Sequence, residues 1–172
     1  MSHPSNRFMR ILKHRWLDER DAQQALGDAG LQRLEARVTN SERLHRGEIR
    51  VCVEAGLPLS YLWRGATPRE RAVTMFGKLR VWDTELNSGV LIYLLLAEHA
   101  IEIVADRGLN RHVPPEEWQR LTRTMSAAFK AGRYEDGLVA AIDAVEALMT
   151  RHVGLADGVN NPNELPNRPY LG

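Results

Sequence analysis

Residues 89–97 read GVLIYLLLA, an apolar run on both alternating faces and of strand length. A strand tolerates that pattern where helices cover both sides of its sheet, so Gly89–Ala97 is expected to be the central strand of an α/β fold. Glu98 and His99 then form a tight connection to residues 100–105, which predicts an antiparallel hairpin.

Upstream, residues 48–54 alternate, with Ile49, Val51 and Val53 on one face and Arg50 and Cys52 on the other, and predict a first strand. Between the two strands, Thr67, Pro68 and Glu70 stand at cap, first and third helical positions. The helix they open carries an expected buried stripe of Ala72, Met75, Phe76, Leu79 and Trp82. Residues 56–66, with Pro58 and Gly65 among apolar anchors, predict an ordered loop.

Two helices follow the hairpin. Pro114 and Pro115 introduce the first, with Trp118, Leu121, Met125 and Phe129 inward and Gly132 at its end. Leu138, Ile142, Val145, Leu148 and Met149 line the second. Before the first strand, Asp18 and Asp21 are plausible caps ahead of a helix from about Asp28 to Leu44. The order of elements implies a three-layer α/β/α sandwich around a small mixed sheet with one antiparallel hairpin. The expected organisation is a basic amphipathic helix over 1–17, the α/β domain over 18–153, and a loose, Asn-, Pro- and Gly-rich tail over 154–172.

In that N-terminal helix Phe8, Ile11, Leu12 and Trp16 share one arc, opposite Arg10, Lys13 and His14. Such a segment either packs on its own domain or lies on an anionic membrane surface. The 23 basic and 22 acidic residues leave a net charge of +1. No basic stripe is interleaved with aromatics, so no nucleic-acid partner is expected. A lone Cys52 forms no internal disulfide, and no secretory stretch precedes the domain; a reducing, cytoplasmic setting is the expectation.

The hairpin's open mouth is where chemistry is expected. Asp83, Glu85 and Asn87 precede the central strand, and Asp106 and Arg107 follow its partner, so the topology predicts that they approach. Asp83, Asn87 and Asp106 are the candidate ligands for a hard cation such as calcium, Glu85 is a further one, and Arg107 is a candidate anion contact. An ordinary turn or helix-cap role for these residues is the competing reading. The six histidines are scattered and predict no zinc site. Arg50 and Glu102 are expected to form a cross-strand ion pair, with an anion contact as the alternative, and Cys52 to be inert packing.

From about residue 21 to 150 the chain resembles the TPM domain family. Asn87-Ser88-Gly89-Val90 is similar to that family's Asn-Gly-Val element. Ile101-Glu102-Ile103 with Asp106, Gly108 and Leu109 resembles the strand and glycine turn after it, and Phe129, Gly132, Tyr134 and Gly137 match its spaced residues between the last two helices. Asp21 and Leu26 keep the family's opening spacing, although Gln23 and Gln24 replace its small residues. The resemblance implies an α/β/α sandwich, calcium binding with Asp21 as a further candidate ligand, and a partner protein in membrane-protein assembly or maintenance. It also implies an alternative, a metal-dependent acid phosphatase. The chain lacks the family's usual signal, anchor or glycine-rich tail, which points to a soluble bacterial-type branch.

Overall fold

A computed structural model describes residues 4–156 and 161–172, with side chains from Met9 onward. Strand β1 (Glu48–Glu54) and strand β2 (Gly89–Leu95) are buried at every residue and pair in parallel, from Glu48 opposite Gly89 to Glu54 opposite Leu95. A single 3-10 turn, Leu96–Glu98, with His99 at φ 51°, reverses the chain into β3 (Ala100–Ala105), antiparallel to β2. The two-residue β4 (Tyr170–Leu171) adds in parallel to the far side of β1, and the order among the described residues is β3-β2-β1-β4.

Strand alternation divides the core into two layers. Ile49, Val51, Val53, Val90, Ile92 and Leu94 face helices α2 (Glu19–Ser41), α6 (Pro115–Lys130) and α7 (Tyr134–Val153). Cys52, Leu91, Tyr93 and Leu95 face the other side, where Leu62 of α3 (Leu59–Trp63) and Ala72 and Met75 of α4 (Pro68–Lys78) meet them. Helix α1 (Pro4–Arg15) joins that second side through Ile11. The α/β/α sandwich stands, and each fully buried Leu or Ile contributes about 1.5–3 kcal/mol to it.

Helix starts follow local chemistry. Glu70 N donates to Thr67 Oγ1 at 3.2 Å and Thr67 N to Glu70 Oε2 at 2.7 Å, the reciprocal box expected from the sequence. Asp18 and Asp21 form a second such box, so α2 begins at Glu19 rather than Asp28 and is broken at Gly27 (φ 68°, ψ 160°). It ends at Ser41, before Leu44. Trp82 lies beyond the end of α4 and is 48% exposed, so the expected stripe stops at Leu79.

The expected loose tail is corrected over 161–172; residues 157–160 lie outside the described residues. Ala55 N donates to Gly172 O at 2.9 Å and Gly172 N to Val53 O at 3.0 Å, and Leu165 is buried against the α3–α4 layer. A segment without periodicity orders here because β1 still has an open edge, whose backbone groups need partners.

Candidate functional site

The predicted corner lies at the amino end of β2. Asp106 caps the short helix α5 (Arg107–Asn110), its Oδ1 accepting from Arg107 N at 2.7 Å. Asn87, at φ 51°, accepts at Oδ1 from Arg107 Nε (3.1 Å) and Nη2 (3.0 Å). Asn87, Asp106 and Arg107 are therefore brought together. Asp83 instead pairs with Arg80 at 3.4 Å in the preceding turn, half exposed. Glu85 meets the tail through its backbone, its N donating to Glu164 Oε2 at 3.0 Å, and Asp21 Oδ2 accepts from Asp18 N in the α2 cap. Among the described residues no three His, Cys, Asp or Glu side chains gather closely enough to hold a metal ion.

Two features of this corner bear on a cation such as calcium. Asp106 Oδ2 is buried and has no hydrogen-bond partner among the described residues, and a carboxylate oxygen is the ligand type a hard cation takes. Against it, the Arg107 guanidinium already supplies positive charge to Asn87 Oδ1. The residues fit a cation in part: one carboxylate oxygen is free, and one amide oxygen is contested.

Two of the glycines that carry the family resemblance, Gly89 and Gly108, serve close packing. A Cβ on Gly89 would overlap the Val81 carbonyl, and one on Gly108 would lie 2.5 Å from Leu86 O and overlap the Asn87 carbonyl. Each lets backbone approach backbone at the mouth of the hairpin.

A second region occupies the opposite, carboxyl end of β1 and β2, the end at which open parallel sheets commonly take ligands. Helix α1 docks there with polar groups. Arg10 Nε donates to Glu98 Oε1 at 2.8 Å and Arg10 Nη2 to Ala66 O at 2.7 Å. Leu57 N donates to His14 Nδ1 at 2.9 Å, which leaves Nε2 to carry the proton toward Glu98 Oε1 at 3.0 Å. Burial pushes the Glu98 carboxyl upward, but the bonds from His14 and Arg10 outweigh it and hold the group below its ordinary value.

This docking turns the helix partly over from the expected arc. Arg10 and His14 face inward with Ile11, whereas Met9 (69% exposed), Leu12 (49%) and Trp16 (79%) face out, with Lys13 and Arg15 also exposed. The side chain of Phe8 lies outside the described ones. Trp63 and Leu59 of α3 continue the exposed apolar surface, and a groove of about 1070 Å³ runs beside it, walled by Met9, Leu12, Arg64 and Glu98.

Beneath this region sits a buried polar cluster that sequence reasoning missed. Arg71 Nε and Nη2 donate to Glu54 Oε2 (2.8 Å) and Oε1 (2.5 Å), and Tyr93 OH donates to Glu54 Oε2 at 2.7 Å. Arg71 also stacks over Tyr61, 4.9 Å from the ring centroid. The available signal was Arg71's place beside Ala72 on the inward side of α4, a charge where an apolar residue is expected. Burial raises the Tyr93 hydroxyl and the Cys52 thiol far above their ordinary values, so both stay protonated.

The expected Arg50–Glu102 pair does not form. Arg50 Nη1 donates instead to the carbonyls of Pro166 and Arg168, and Glu102 lies 3.7 Å from Arg69. Strand β2 lies between β1 and β3, so Arg50 and Glu102 are not cross-strand neighbours, and the tail supplies the acceptors that Arg50 meets.

The TPM domain family model matches residues 20–148. No curated protein sequence matches the chain. Among solved structures, the BA42 protein of the psychrophilic bacterium Bizionia argentinensis is similar at 25% identity, with a TM-score of 0.72 over 84% of this chain and 94% of that one. The N-terminal domain of a P. gingivalis protein shares the fold at 18% identity, with a TM-score of 0.61 over 76% of this chain and 82% of that one.

Proposed function

The chain belongs to the TPM domain family, and on that premise we propose that it is a binding domain which settles on an anionic membrane surface through the outer face of α1, beside a membrane-associated protein partner. The observation that carries this reading is the outward stripe of Met9 and Leu12 on a helix whose own polar groups hold it to the domain, continued by Trp16 just past its end. An amphipathic helix normally buries such a stripe. Here it is spread on the surface next to Lys13 and Arg15, and α1 has no acidic residue in its first turn and three basic ones in its last. Apolar anchors with flanking cations match the headgroup boundary, where an indole has both an apolar and a wet side.

Co-sedimentation with phosphatidylglycerol-rich vesicles tests the reading. Binding is expected, weakened by salt, and reduced roughly tenfold or more in a Leu12→Glu/Trp16→Glu variant, with phosphatidylcholine vesicles left largely unbound. Absence of binding, or equal binding by the variant, sinks it.

A second reading, a calcium ion at the mouth of the hairpin, is supported by the unpartnered Asp106 Oδ2. Because Arg107 competes for Asn87 Oδ1, Arg107→Gln is expected to tighten calcium binding and Asp106→Asn to abolish it. Calcium titration followed by the amide resonances of residues 83–89 and 105–109 measures both, and a spectrum unmoved by calcium in all three proteins rejects this reading.

A further inference from the structure

The outer edge of β3 borders a cavity of about 460 Å³, whose wall includes Arg69, Glu102, Asn110, Trp118, Gln119 and Thr122. Three observations there concern hydrogen bonding. First, among the described residues β3 ends the sheet, so one of its edges has no described strand beside it. Second, the backbone groups on that edge are identifiable. Asp106 N bonds Gly89 O on the β2 side, whereas Ile103 O accepts from Arg69 Nη1 (2.5 Å) and Ala105 O from Asn110 Nδ2 (2.8 Å). By the two-residue period, Ile101, Ile103 and Ala105 present their N–H and C=O groups outward. Third, Trp118, 6% exposed in the cavity wall, holds a buried Nε1–H with no acceptor among the described residues.

The edge is thus short of acceptors. Side chains already cover the Ile103 and Ala105 carbonyls, but their N–H groups and the Trp118 indole N–H face no strand and no described acceptor. A purely apolar occupant would leave that need unmet. A small anion would meet it but would sit against the Glu102 carboxyl, which shares the wall. Extended backbone offers carbonyls to the N–H groups and an amide N–H to Glu102 at once. Arg69 is half exposed, so it has room to leave Ile103 O as a strand arrives.

We propose that the outer edge of β3, with Trp118 and Arg69 in its wall, binds an extended, uncharged peptide segment of a partner protein by strand addition. The site lies apart from α1 and does not depend on membrane binding.

The test is a titration of the full chain, labelled with nitrogen-15, with the capped peptide acetyl-Thr-Val-Thr-Val N-methylamide. Four indole N–H signals are present, one for each tryptophan, and Trp118→Phe assigns the relevant one. That signal and the Ile103 and Ala105 amides are expected to move downfield. Thr122→Trp, which fills the cavity from a half-buried helical position, is expected to weaken binding about tenfold or more without loss of circular dichroism. Unmoved signals up to the solubility limit overturn the proposal, as do shifts confined to the indoles of Trp16 and Trp63 or full binding by Thr122→Trp. Vesicle binding in the same preparation reads the α1 proposal separately.

Discussion

Arg71 and Glu54 meet through two parallel hydrogen bonds of 2.5 and 2.8 Å, with both side chains at least nine-tenths buried at the carboxyl end of β1. Neutralising one partner strands the other charge away from water, so Arg71→Met is expected to cost about 3–5 kcal/mol in urea unfolding. Adding Glu54→Leu to it should restore much of that loss, since the penalty lies in the unpaired charge rather than in a large net gain from the pair. Tyr93 keeps the restoration incomplete, because its hydroxyl loses Glu54 as acceptor. Equal losses in the single and double variants would contradict this account.

Glu42 and Glu48, 7% and 0% exposed, lie where α2 passes into β1 and form no ion pair among the described residues. Burial raises Glu42 to about 8 and Glu48 to about 7; each is also near another carboxylate, Glu48 beside Glu42 and Glu164 beside Glu48. The folded chain therefore binds more protons than the unfolded one between the ordinary value of 4.5 and about 8. Stability from these groups is full below that window and is lost as pH rises through it. Buried His45 acts oppositely, since its lowered value gives stability as pH rises through the unfolded histidine value of 6.5. Glu42→Gln isolates the carboxylate: its carbonyl still accepts from Ile49 N, and it is expected to stabilise the fold by about 1–3 kcal/mol at pH 8.5 and by little at pH 5. Unfolding curves at the two pH values decide it.

Gly89 and Gly108 admit no side chain because backbone carbonyls occupy the space a Cβ needs. Gly89→Ala is expected to destabilise by about 2 kcal/mol or more, by forcing β2 away from Val81. Gly77, whose Cβ would meet nothing within 4 Å, serves as the helical control, where alanine is expected to stabilise by about 0.5–1 kcal/mol. Thermal midpoints moving in opposite directions for the two variants would support the packing role assigned to the motif.

These cases mark what patterns along a chain reveal. The β2 run was legible because an element apolar on both faces has few solutions, and the Thr67–Glu70 box because both partners lie within one helical turn. The orientation of α1 was not legible: a helical wheel ranks apolar faces, and this helix is held by Arg10 and His14 on a glutamate 84 residues or more away in sequence. Arg71 was hidden for the same reason, its partner lying 17 residues back on another element. At the predicted corner, Asn87 meets Arg107, whose backbone N–H Asp106 accepts, but local competition sent Asp83 to Arg80 and Asp21 to a helix cap.

Buried Arg50 has no carboxylate partner among the described residues; burial lowers its value, and the carbonyls of Pro166 and Arg168 are what neutralise its donors. Glu48, on the same strand, accepts from Leu165 N at 3.2 Å, and Tyr170 and Leu171 pair beside Cys52 and Val53. Removing residues 161–172 would take away these hydrogen bonds, the burial of Leu165 and the cover on the β1 edge together. The expected loss is on the order of 5 kcal/mol or more, each hydrogen bond contributing about 1 kcal/mol and Leu165 about 2 kcal/mol. Cys52 reports the change directly. Fully buried and protonated in the intact chain, it should react slowly with a thiol reagent under native conditions, and at least about tenfold faster once the segment is gone. Unchanged reactivity and stability in the shortened chain would mean that β1 holds its place without the strand that runs beside it.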